Sequence, residues 1–318
     1  MNDVQPVTQR KRRPASDIPG WLRLKERGSR FWLRVMCRLS LVLGRRLTRS
    51  IVYVIAGYFL LAAPGARNAS RAYLTRCLLR PVTWLDMYRH TLAFASTIHD
   101  RVYLLNDQHD IFDIRVTGAD ALQVQEVEHG GCFLFGGHLG SFEVLRALAR
   151  DLPQFRLSIA MYPDNAQLLN SVLTAINPRI MQDIIALGQL DSMLTIHRNI
   201  EAGAMVGLLA DRTICSDQYI TLALLGTPAR LSTGPFRMAV MLRHPVYFMA
   251  GLYRGGNRYD VHFELLTDFS QHEPGGREAE MRQLMEKYAA TLQHHCQAAP
   301  YNWFNFYDFW ESARSETS

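Results

Sequence analysis

Gly130-Gly131-Cys132-Phe133-Leu134-Phe135-Gly136-Gly137-His138-Leu139-Gly140-Ser141-Phe142-Glu143 joins a short apolar run, bracketed by glycine pairs, to the start of a helical pattern. An uncharged run of this length between glycines predicts a buried parallel strand. Downstream, Val144, Leu145, Leu148 and Ala149 recur at helical spacing until Leu152-Pro153 stops them. His138 therefore falls at the carboxyl end of a strand, where open α/β sheets place their ligands. Histidine titrates near neutrality and takes a proton from a hydroxyl, and Glu143 is a carboxylate able to fix its tautomer, so the two form a candidate general-base dyad. A His/Glu pair one turn apart is also a common solvated contact on a helix surface, so the spacing alone leaves both readings open.

Further strands are expected at residues 111–116, 157–161, 184–187, 206–210, 219–225, 246–253 and 259–266. Helical patterns at 119–128, 167–176, 193–202, 235–242 and 277–297 separate several of them, and two more fill 66–106 with a break at Pro81. Strand alternating with helix predicts an α/β fold, with a mostly parallel central sheet flanked by helices. Gly255-Gly256-Asn257 predicts a hairpin that adds an antiparallel edge.

A chain of 318 residues, 48% apolar and 20% charged, is neither disordered nor fibrous in composition. Cys37, Cys77, Cys132, Cys215 and Cys296 form no CxxC pair, and their odd number argues for free thiols in a reducing compartment. The net charge of +6 conceals two opposite parts: residues 1–80 hold 17 Lys/Arg against 3 Asp/Glu, leaving 18 basic and 26 acidic residues elsewhere. The positive charge belongs to the N-terminal segment and points to an anionic surface.

Arg30, Arg34 and Arg38 fall four apart among Phe31, Trp32, Leu33, Val35 and Met36, the pattern of a basic amphipathic helix at a membrane surface. Residues 51–63 then carry no charge but fall short of the roughly 20 apolar residues of a spanning helix, which favours an interfacial or re-entrant hairpin. A buried helix pair with solvated arginines is the competing reading. No nucleic-acid reader motif is present, so nucleic acid is not an expected partner. With no secretory signal and with positive flanks, the body is expected on the cytoplasmic face of the membrane. Three segments follow: 1–20, a disordered basic tail; 21–66, a membrane-associated helical anchor; and 67–318, the α/β domain.

His138 to Glu143 matches the His-x4-Asp/Glu motif of the lysophospholipid acyltransferase superfamily, and further blocks follow in order. They are Tyr162-Pro163-Asp164-Asn165, the strand 207–210 ending in Asp211-Arg212, Leu224 to Ala229 with Thr233-Gly234-Pro235, Pro245-Val246, and Pro300-Tyr301-Asn302-Trp303. Over about 20–310 this set resembles the bacterial lipid A late acyltransferases, the lauroyl/myristoyl transferases, and Trp21 with Glu26 to Ser29 looks like a branch found with aryl-polyene synthesis. The chain departs from the family at two places: no arginine adjoins Tyr162-Pro163, leaving Arg179 as the nearest later candidate, and Asn305-Phe306-Tyr307 stands where lipid A enzymes carry His-Arg-Arg.

The resemblance implies an inner-membrane O-acyltransferase that moves a fatty acyl chain from an acyl carrier protein thioester to a hydroxyl of a lipid or glycolipid. His138 is the expected base and Glu143 its orienting carboxylate, with a backbone N–H near Gly140 or the Arg179 guanidinium as oxyanion donor, and with Asp211 and Arg212 as either organisers of the site or a plain ion pair. A thioester is already activated, so no metal or redox cofactor is expected. Ser141 is expected as a helix cap, His294 and His295 as surface groups, and the aromatic residues 303–310 as either an acyl tunnel or core. Two rivals stay open: a membrane-bound hydrolase using the same dyad, and a non-catalytic membrane-docked partner.

Overall fold

The computed structural model describes residues 30–120, 122, 130–151, 156–161, 184–188, 191–212, 218–270 and 275–310. The expected tail at 1–20, the helix at 167–176, Tyr162 to Asn165, Arg179, Cys215 and most of 119–128 lie outside them.

A seven-stranded sheet forms the centre, from β1 (Asp113–Thr117), β2 (Phe133–Gly136), β3 (Leu157–Met161), β4 (Ile184–Ala186), β5 (Met205–Leu209), β8 (Val246–Gly255) and β9 (Arg258–Thr267). Its order is β1-β9-β8-β2-β5-β3-β4, and every neighbouring pair is parallel except β8–β9. The β8–β9 hairpin is the antiparallel element expected at Gly255-Gly256-Asn257, but it is not an edge, because β1 pairs outside it. A separate two-stranded sheet joins β6 (Tyr219–Leu224) to β7 (Thr227–Ser232). No strand was expected at 227–232, where Pro228 and Arg230 obscure the alternation.

β2 shows why the sheet is covered on both faces. Its four residues are all buried, and successive side chains enter opposite layers: Phe133 and Phe135 join one core cluster, Leu134 and Cys132 the other. One layer is supplied by α2 (Pro64–Leu78), α6 (Gly234–Leu242) and α7 (Gly276–Ala298), the other by α3 (Trp84–Leu104) and α4 (Phe142–Asp151). α5 (Ser192–Glu201) leads into β5. Helix α3 begins at a capping box, in which the Thr83 hydroxyl accepts from Asp86 N–H and the Asp86 carboxylate accepts from Thr83 N–H.

The N-terminal helix α1 (Arg30–Ala62) is kinked at Gly44, whose φ of 78° is left-handed. No single helix among the described residues is long and apolar enough to cross a membrane; Val35–Ala62 and Pro64–Leu78 reach that composition only together, bent by 96°. Arg45 and Arg49, part of the basic N-terminal segment, close on the fully buried Asp100 of α3. Arg45 binds it bidentately at 2.8 and 2.9 Å, and Tyr259 of β9 adds a hydrogen bond at 2.8 Å. A buried carboxylate persists only with such partners, so α1 is fastened to the α/β body rather than tethered beside it.

Candidate active site

Register places the two central side chains. Gly136 of β2 lies opposite Leu209 of β5, so the residues two beyond each, His138 and Asp211, emerge side by side at the carboxyl edge of the sheet. The ladder continues one step past the strands, with Ala210 N–H donating to Gly136 O at 2.9 Å.

His138 Nδ1 lies 2.7 Å from Asp211 Oδ1. An ionised carboxylate only accepts, so Nδ1 carries the proton and Nε2 the lone pair. The imidazole is partly open, with 27% of its side chain exposed, while Asp211 is completely buried. Asp211 Oδ2 accepts three more hydrogen bonds, each at 2.9 Å: from His138 N–H, Trp303 Nε1 and Asn305 Nδ2. Four donors hold the carboxylate and fix the imidazole ring through it.

Burial pushes the His138 imidazole below its usual pKa of 6.5, the Arg212 cation adds to that, and Asp211 opposes both. Burial of Asp211 works against ionisation, but His138 and Arg212 outweigh it and hold the carboxyl well below its usual range. The imidazole is therefore neutral and its carboxylate partner ionised at neutral pH. Arg212 donates Nε to Asn305 Oδ1 at 2.8 Å and lies 5.7 Å from the centre of the Tyr307 ring.

Two sequence expectations are corrected. Glu143 is not the carboxylate on His138, because one turn of helix α4 aims it at Arg101 of α3, whose Nε lies 2.9 Å from Glu143 Oε1. Ser141 Oγ approaches the same carboxylate at 3.4 Å. Gly140 is not an oxyanion donor either, since its N–H donates to Asn302 O at 2.8 Å. Its φ is +74°, and a Cβ there would lie 2.0 Å from Gly251 O. Gly140 thus lets the histidine loop lie flat on β8, where Ser141 N–H donates to Gly251 O at 2.8 Å.

The segment 301–310 closes the site from the other side. Phe304 N–H donates to His138 O at 2.7 Å, and Leu139 and Trp303 form an isolated antiparallel bridge. Trp303, Phe309 and Trp310 are buried in mutual edge-on contacts, and Phe304 is buried against His90 and Phe94, which makes all four core. His90 of α3 is also buried here, donating Nε2–H to Trp303 O at 2.9 Å and accepting from Ser70 Oγ at 2.8 Å. Burial lowers its pKa to about 4. His295, read as a surface group, is buried against Phe248 and lies 2.6 Å from Glu264 Oε1.

Sequence reasoning missed Arg101, Asn302 and Asn305 as site residues. Asn302 stood inside the Pro-x-x-Trp block, but Arg101 carried no signal, being one helical arginine among many.

Residues 81–312 match the sequence model of a family described as bacterial lipid A biosynthesis acyltransferase. No curated protein sequence matches the chain.

Proposed function

Because the chain belongs to the bacterial lipid A biosynthesis acyltransferase family, we propose that it transfers a fatty acyl group from an acyl carrier protein thioester to a hydroxyl of a membrane lipid or glycolipid, with His138 as general base. The observation that carries this reading is the 2.7 Å contact of His138 Nδ1 with buried Asp211, which leaves the basic Nε2 free to meet an acceptor hydroxyl.

In the proposed reaction Nε2 removes the acceptor proton as its oxygen attacks the thioester carbonyl. The tetrahedral oxyanion collapses, the carbon–sulfur bond breaks, and the leaving thiolate takes the proton back from the imidazolium. Asp211 holds the ring and stabilises the imidazolium, the part Glu143 was first expected to play. Arg212 supplies positive charge beside the base and favours the oxyanion. Glu143 holds Arg101 in an ion pair, and the Arg101 cation adds to the positive charge felt by His138. The chemistry calls for no cofactor.

Membrane association is part of the proposal. Val42, Leu47, Val54, Tyr58 and Leu61 of α1 are exposed apolar side chains, as are Leu79 and Trp84 after α2. So many exposed apolar side chains on one segment suit lipid rather than water. Docking on the cytoplasmic face of the inner membrane would bring the soluble donor and the lipid acceptor to one site.

The test is mass spectrometry of lipid extracts from cells carrying the native chain or His138→Ala, together with incubation of the purified protein with acyl carrier protein thioester. One acylated lipid should disappear in the variant, and thioester turnover should require added lipid. Rapid release of free fatty acid without acceptor would identify a hydrolase instead, and an unchanged lipid profile would identify a non-catalytic partner.

A further inference from the structure

His197, Glu201 and His244 bring one ligand atom each to within 4.8 Å of one another, at the opposite edge of the sheet from His138. We propose that they bind a divalent transition-metal ion of the zinc class, which fastens the end of α5 to the start of β8. His197 and Glu201 stand four apart on α5 and so share one helix face. His244 precedes Pro245, whose carbonyl accepts from Phe133 N–H at 2.8 Å where β2 and β8 begin.

The separations fit an ion. His197 Nδ1 lies 3.1 Å from His244 Nε2, and that same Nε2 lies 3.6 Å from Glu201 Oε1. Nitrogen and oxygen ligands about 2.0–2.1 Å from a tetrahedral ion stand about 3.3–3.4 Å apart, a spacing that lies between the two distances. Hydrogen bonding joins only two of the three: one ring nitrogen of the His197–His244 pair donates to the other at 3.1 Å, while Glu201 Oε1, 3.6 Å from His244 Nε2, lies beyond hydrogen-bond reach. A cation satisfies all three lone pairs at once.

Two imidazoles and a carboxylate suit zinc, copper, nickel or cobalt rather than calcium or magnesium, which take oxygen ligands. The Glu201 side chain is 61% exposed and that of His244 14%, so the group opens to solvent on one side and leaves room for water as a fourth ligand. β2 separates this group from the base: Phe133 pairs with Val246 beside the trio, whereas Gly136 leads to His138 at the other end. The ion is therefore a fastening for the fold and not part of acyl transfer.

The full-length protein in detergent, stripped with chelator, is titrated with Co²⁺ and read by visible absorption, and its Tm is measured with and without Zn²⁺. One equivalent of Co²⁺ should give the strong absorption of a tetrahedral site, and Zn²⁺ should raise Tm by about 2–4 °C. His244→Ala should abolish the absorption, and Glu201→Gln should weaken binding by about 10–100-fold. Glu201→Gln alters an exposed side chain and should keep the metal-free Tm of the native chain, so its lost Zn²⁺ response is not misfolding. Absence of saturable Co²⁺ absorption, or binding by both variants equal to that of the native chain, would overturn the proposal.

Discussion

His138 and Asp211, 73 residues apart in the chain, meet at 2.7 Å because β2 and β5 are neighbouring parallel strands in register. The contact makes Asp211, and not the nearby Glu143, the carboxylate that sets the imidazole tautomer. Asp211→Asn keeps the shape but turns an amide toward donors, so the ring loses its fixed orientation. By analogy with other His–Asp pairs, kcat should fall about 10³–10⁴-fold with KM little changed. Steady-state kinetics with a thermal melt as folding control checks this. In the native enzyme the acid limb of kcat/KM should fall below pH 6.5, because burial and Arg212 disfavour the protonated base.

Arg101 and Glu143 are largely shielded from solvent and act as a pair. Removing either should cost activity, but the double variant Arg101→Met, Glu143→Gln should lose less than the sum of the single changes, with a coupling of about 1–3 kcal/mol. Additive losses would show that Glu143 acts on something other than Arg101.

Gly140 and Gly251 let two backbones touch. Gly140→Ala would place Cβ 2.0 Å from Gly251 O with φ at +74°, and Gly251→Ala would place one 2.4 Å from Ser141 O. Neither neighbour is a side chain that can turn aside, so each change should lower Tm by several degrees and displace His138. Purified variants with native Tm and native kcat would contradict that account.

His90 makes stability depend on pH. Its folded pKa is about 4 against 6.5 for the free group, so the unfolded chain binds a proton that the folded chain refuses between these values. Stability should therefore fall as pH drops from 6.5 to about 4, by about 3 kcal/mol from this residue. Denaturant melts across that range, compared with His90→Gln, should show a flatter slope in the variant.

Local patterns were enough for most of the elements. Leu157–Met161 agrees in both ends with its sequence reading, and β2, α5, α6 and α7 agree within a residue or so, because each is marked by an apolar period and by glycine or proline at its limits. Thr227–Ser232 escaped, since its pairing with β6 rather than its own composition makes it a strand. The family was legible from ordered blocks, and His138 from its place after an apolar run.

The partner of His138 was not legible in the same way. Sequence favours the nearest acid, and Glu143 is five residues away; a helix turn carries it to Arg101 instead. Asp211 was singled out only as an organiser at a strand end, and the hydrogen bonds from Trp303 and Asn305 that hold it come from the far end of the chain. Nothing in the spacing of Arg45 and Arg49 pointed to Asp100, which α3 brings against them. By itself the sequence determined most of the strands, the candidate base and the family, because these rest on local periodicity and residue order. Tertiary structure alone decided which carboxylate serves the base and which cations are buried, because strand register and helix packing unite residues that no spacing connects.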